Sequence, residues 1–143
     1  MTLLEAAAAL RARKVSSSEL VFDSLARIAA HDETLNTFIT VLEDNARIEA
    51  DQADDELARG IDRGPLHGIP IALKDVFSTK GIRTTAGSKI FAGNVPRHNA
   101  AVVEKLAAAG AVLIGKTNMH ELAYGITSSN PHYGPVRNPW NVE

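Results

Sequence analysis

Two lysines in the sequence invite a chemical reading. The stretch "GAVLIGKT", Gly110 to Thr117, matches G-x-x-x-x-G-K-[ST], the pattern of a loop whose backbone N–H groups cradle phosphate and whose lysine reaches it. The stretch "HGIPIALKDVF" delivers Lys74 at the end of an apolar run. A lysine buried away from a counter-ion loses its proton readily and can then serve as a base, whereas a strand-end lysine that snorkels to water stays charged. Both readings of Lys74 are open on its local sequence alone. His120 and Glu121 begin like a zinc-protease helix, but Tyr124 stands where the second histidine is required, and His67, His98 and His132 lie in separate loop contexts. No metal site is expected. Ser128 and Ser129 in "TSSN" lack the glycine-rich surroundings that would free backbone donors for an oxyanion, so a turn or capping role is expected of them.

The elements that must position these residues can be read from periodicity and caps. Two helices open with capping boxes, Thr2 with Glu5 and Ser16 with Glu19, and Val21, Leu25 and Ile28 set an apolar stripe on the second. "NTFITVL", Asn36 to Leu42, has the β-branched and aromatic content of a strand, and a third helix is expected over 45–59, ending at Gly60. From Gly64 the texture changes to glycine- and proline-punctuated apolar runs. The best strand there is Ile69 to Leu73, with Pro70 confining it to a strand start, an edge or a bulge. "NAAVVEKLAAAG" reads as a helix stopping at Gly110, "AVLI" as a short buried strand, and "TNMHELAYG" as a further helix closed by Gly125 and capped by Thr117 or Asn118. The tail "SSNPHYGPVRNPWNVE" reads as extended loop.

This order argues against the phosphate loop. A working one needs a strand before its first glycine, yet here Gly110 follows a helix and the four wildcard residues look like the strand itself. Their N–H groups would be committed to a ladder, and the match would describe a cap, a strand and a turn. Lys116 then falls at a strand end or turn.

Composition bounds the remainder. The 143 residues are 45% hydrophobic and 22% charged, which suits one globular domain rather than a disordered or fibrous chain. A net charge of -2 with scattered Lys and Arg leaves no basic stripe for nucleic acid or an anionic membrane surface. With no cysteine there is no disulfide, thiolate metal site or thiol nucleophile, which is compatible with a cytoplasmic protein. No apolar run approaches a membrane span, the N-terminus lacks the order of a secretory signal, and no internal repeat or interdomain linker stands out.

Read together, "GPLHGIPIALKD", "TTAGS", "NAAVVEKLAAAGAVLIGKTNMHELAYG" and "GPVRNPWN", in that order, resemble the amidase signature family, and "SSSELVFDSLARIAAHDETLNTFITV" resembles its helical lead-in. The resemblance implies an α/β fold with a large mixed sheet between helical layers, and a Ser-cis-Ser-Lys triad that cleaves carboxamides through an acyl-enzyme, with no cofactor. Lys74 would be the triad's lysine, neutral and acting as base on the bridging serine. The family's Gly-Gly-Ser-Ser-Gly-Gly-Ser segment, which carries that serine, would begin just after "NPWNVE", with the nucleophile further downstream.

The expectation is therefore an incomplete amidase signature fold. Residues 1–143 would form the N-terminal part of a single domain, with 1–63 as the helical lead-in and 64–143 as the start of the α/β core. Such a chain would lack both triad serines and be inactive alone. Its partners would be a small-molecule amide in the complete enzyme and, on an alternative reading as a non-enzymatic interaction module, a complementing chain or a second copy.

Overall fold

The computed structural model describes residues 1–142. Helices α1 (Leu3–Arg11) and α2 (Ser17–Leu35) lead to strand β1 (Phe38–Val41), then α3 (Glu43–Ala58), β2 (Pro70–Lys74), α4 (Ala101–Ala108) and β3 (Val112–Thr117). Both opening helices carry complete capping boxes: Thr2 and Ser16 accept from the N–H groups of Glu5 and Glu19, and each glutamate returns to its cap's own N–H. Asn36 closes α2 in the left-handed region at φ 54°, a conformation asparagine tolerates better than most residues. Among the described residues no helix is long and apolar enough to cross a membrane.

The sheet is mixed, in the order β1-β3-β2, with β3 antiparallel to β1 and parallel to β2. Pro70 stands first in β2, an edge strand, where its missing N–H costs no ladder bond. Helix α3 lies over β3 through Ala46, Ala50 and Ala53, spaced to share one face and small enough to let the backbones approach. Val21 and Leu25 of α2 join Ala46, Ala50, Val112 and Ile114 in one core cluster, with Ile28 and Phe38 packed against it. Burying a side chain such as Val21, 1% exposed, contributes about 2 kcal/mol. A second cluster joins α1 to Leu20 and Ile69, and a third joins Leu73, Val103 and Leu113.

Two expectations are corrected. The strand "AVLI" does not end in a turn at Gly115: β3 runs on to Thr117, and Gly115 is buried inside it. Its missing side chain makes room for β1, because a Cβ there would lie 2.7 Å from the Phe38 ring and 2.8 Å from the Thr40 carbonyl oxygen. Nor is "TNMHELAYG" a helix. Only a 3₁₀ turn, Glu121–Ala123, forms there, with Leu122 and Ala123 at φ 54° and 59°. The backbone groups such a helix would need are claimed from afar: the Leu122 N–H donates to Ala86 O, and the Asn130 amide donates to Met119 O. Asn118 is no cap either, since its amide donates to Asn36 O and Gly134 O. Tertiary bonds override a helical pattern of modest propensity.

Gly115→Ala should therefore lower the urea midpoint by the equivalent of about 1–3 kcal/mol, the usual cost of overpacking. Gly93→Ala, where an added Cβ meets nothing within 4 Å, should leave the midpoint nearly unchanged.

Candidate active-site strand

Lys74 closes β2, paired in register with Thr117 of β3. Alternation along the strand end sends Leu73 and Asp75 into the interior and leaves Lys74 exposed on the opposite face. The adjacent aspartate is thus turned away from Lys74 and pairs with Lys116 instead. The Lys116 ammonium lies 3.1 Å from Asp75 Oδ1, with both side chains 0% exposed. The ammonium donates to Phe77 O at 3.0 Å and Thr84 Oγ1 at 2.9 Å. Burial pulls the Lys116 pKa down from the ordinary lysine range, and the Asp75 carboxylate opposes that pull.

Asp75 is the centre of this arrangement. Its Oδ2 accepts from the Thr85 N–H at 2.8 Å and the Thr85 hydroxyl at 2.6 Å, while Oδ1 has only the Lys116 ammonium. Its main chain donates to Thr117 O and accepts from the Ala86 N–H. The end of β2 is thereby tied to β3 and to residues 84–86.

Lys116 was expected at a strand end, and it is the penultimate residue of β3. Its complete burial was not legible, because the sequence "GKTN" carries no apolar flank after the lysine. The phosphate-loop geometry is missing: Gly110 follows α4 at φ 75°, and the N–H groups of Ala111, Val112 and Leu113 donate to Leu106 O, Ile69 O and the Glu49 carboxylate. No run of free donors is left to meet an anion there.

Two of the histidines, His67 and His132, are more than plain surface residues. His67 is 1% exposed; its Nδ1 accepts from the Arg63 N–H, which leaves the ring proton on Nε2, facing Glu56 Oε2 at 3.1 Å. His132 Nε2 lies 3.0 Å from Glu121 Oε1, which also accepts from the buried Ser88 hydroxyl at 2.6 Å. His98 is exposed, and His120 Nδ1 lies 3.0 Å from Thr127 O. Ser128 and Ser129 are exposed, and Ser128 O accepts from the Val136 N–H in a loop contact.

Helices pack against a mixed sheet whose parallel edge strand ends in a lysine. The chain belongs to the amidase family, whose pattern it matches over residues 19–143. It is 51% identical to the A subunit of glutamyl-tRNA(Gln) amidotransferase from Anaeromyxobacter sp. (strain K), across 98% of this chain and 28% of that protein. Among solved structures it superposes on the native peptide amidase of Stenotrophomonas maltophilia with a TM-score of 0.91 at 36% identity, covering 99% of this chain and 30% of that one. A structure from a vestigial protein complex bearing on the origins of an s-triazine catabolic enzyme gives a TM-score of 0.94 at 41% identity, covering 99% and 31%. The chain therefore spans under a third of the length of these relatives, at their N-terminal end.

The Ser88 hydroxyl, and after it His132, hold the Glu121 carboxyl below the ordinary glutamate range. A depressed carboxyl stabilises the fold fully above its unfolded value, about 4.3, and that stabilisation is lost as pH falls through the folded value. Glu121→Gln should therefore flatten the acid limb of a plot of Tm against pH.

Proposed function

We propose that this chain supplies the lysine arm of an amidase, as the N-terminal part of one amidase domain in which 1–63 form the helical lead-in and 64–143 begin the α/β core. In the complete site Lys74, neutral, takes the proton of a bridging serine, which in turn activates the serine that attacks a carboxamide carbon. The ammonia or amine departs, and water releases the acyl group from the serine. Backbone donors of a glycine-rich segment hold the oxyanion.

The observation that carries this reading is the placement of Lys74. It sits at the C-terminal end of a parallel strand, its side chain is on the open face, and it stands within "GIPIALKD" in the family match. Ligands of α/β sheets gather outside the carboxyl ends of parallel strands, which supports a catalytic rather than a decorative lysine there. The relatives' names, a peptide amidase and one component of an amidotransferase, support carboxamide chemistry. The Gly-Gly-Ser-Ser-Gly-Gly-Ser segment does not occur in these 143 residues, so the two serines must come from further sequence or from another chain. Alone, residues 1–143 are inactive on this reading.

A complementing chain is the second reading, favoured by apolar side chains left in solvent. Ile126, Trp140, Tyr124 and Ile90 are 106%, 95%, 91% and 82% exposed, more than an isolated small domain gains from showing. That relatives include one component of an amidotransferase and a member of a vestigial complex supports the same idea.

In a full-length polypeptide that carries these residues followed by the serine-bearing remainder of such a relative, ammonia release from a simple carboxamide should be measurable. Lys74→Ala should cut turnover by about 100- to 10,000-fold, the usual worth of a general base. Equal turnover of the variant and the unaltered polypeptide would sink the assignment.

A further inference from the structure

Burying an ammonium and a carboxylate is a costly way to hold a strand end, because an apolar pair of similar volume is often as stabilising or more so. What an apolar pair cannot supply is direction. Lys116 is held from three separate places: it pairs with Asp75 Oδ1 at 3.1 Å and donates to the Phe77 carbonyl and the Thr84 hydroxyl at 3.0 and 2.9 Å. Asp75 sends Oδ2 to the backbone and hydroxyl of Thr85. Every one of these groups lies within the segment that follows Lys74 or on the strand paired with it.

The consequence for Lys74 comes through the backbone. Its carbonyl accepts from the Phe77 N–H at 3.1 Å, so the residue whose own carbonyl is held by Lys116 also closes the turn on Lys74. On the other side the Asp75 N–H is fixed on Thr117 O, the register partner of Lys74. The turn 74–77 is thus clamped from the buried face of the sheet, while Lys74 leaves from the exposed face. Rotation of the strand end would require breaking bonds to a charge that has no water to replace them.

We propose that Lys116 and Asp75 are positioning residues for Lys74: their buried pair fixes the backbone of the β2 end so that the catalytic lysine is delivered in one direction from the opposite face. The inference rests on the amidase reading of Lys74 given above. It gives the lysine of "GAVLIGKT" a role that neither phosphate binding nor strand termination supplies.

The test uses the full-length amidase polypeptide and a fluorophosphonate probe that labels an activated serine. The end point of labelling counts competent, folded sites, and its rate reports how well the base is presented. Asp75→Leu combined with Lys116→Met removes both charges at once, so neither is stranded. The pair variant should reach the end point of the unaltered enzyme at about a 100-fold lower rate, with kcat reduced in parallel and KM within about twofold. An unchanged rate per competent site would reduce the pair to a structural role and overturn the proposal. Should the double variant label too few sites to time, Thr84→Val, which removes one acceptor of the ammonium and no charge, should slow labelling by roughly tenfold at full end point. A normal rate there also overturns it. Failure of the underlying reading looks different: Lys74→Ala itself would then label at the unaltered rate.

Discussion

An ammonium with no solvent around it has to find acceptors, and in this chain the acceptors available to Lys116 organise the end of the parallel strand pair. Asp75 neutralises the charge, Phe77 and Thr84 complete its hydrogen bonding, and Asp75 in turn recruits Thr85 and Ala86. Residues 75–100 contain only one 3₁₀ turn, Lys89–Phe91, yet they are not left loose. Thr84 and Asn94 exchange bonds, Gly81 donates to Pro96 O, and the Arg83 guanidinium reaches Ile39 O and Thr40 Oγ1 on the far strand of the sheet. A long connection with its backbone satisfied internally is the form that functional loops take in compact domains.

How much of this could be read in advance depends on how local the cause is. The capping boxes at Thr2 and Ser16 are complete within four residues, and both form as read. The Val21, Leu25 and Ile28 stripe buries because helical periodicity survives whatever it packs against. The strand assignments at Phe38–Val41 and Pro70–Lys74 rest on equally short-range signals, β-branching and the constraint on Pro70. Gly115 shows the limit. As a sequence letter it suggests a turn, but its purpose is the Phe38 ring of a strand more than seventy positions away in the chain, and no local rule carries that information.

The segment after Thr117 shows the same limit from the other side. Its helical pattern is real, but Asn118, Asn130 and Ala86 supply competing partners that only the folded chain brings near. Lys116 lies near the strand end where its sequence puts it, but its burial has no local signal, because burial of a charge depends on a partner, and Asp75 becomes that partner only when β2 and β3 pair in parallel. Lys74 was distinguished by family resemblance more than by physics. Its exposed place on the open face of the sheet agrees with a side chain that serves something beyond these residues rather than the core beneath it.

The buried Lys116–Asp75 pair should make the irregular segment around Thr85 as rigid as the sheet it borders. Residue-resolved hydrogen exchange on the chain tests this most directly, because the Thr85 and Ala86 amides donate to Asp75 Oδ2 and Asp75 O and to nothing in a regular element. Both amides should exchange as slowly as the Val112 amide, which is bonded to Ile69 O inside the fold. Exchange of Thr85 and Ala86 as fast as that of the exposed loop around Ser128 would contradict it.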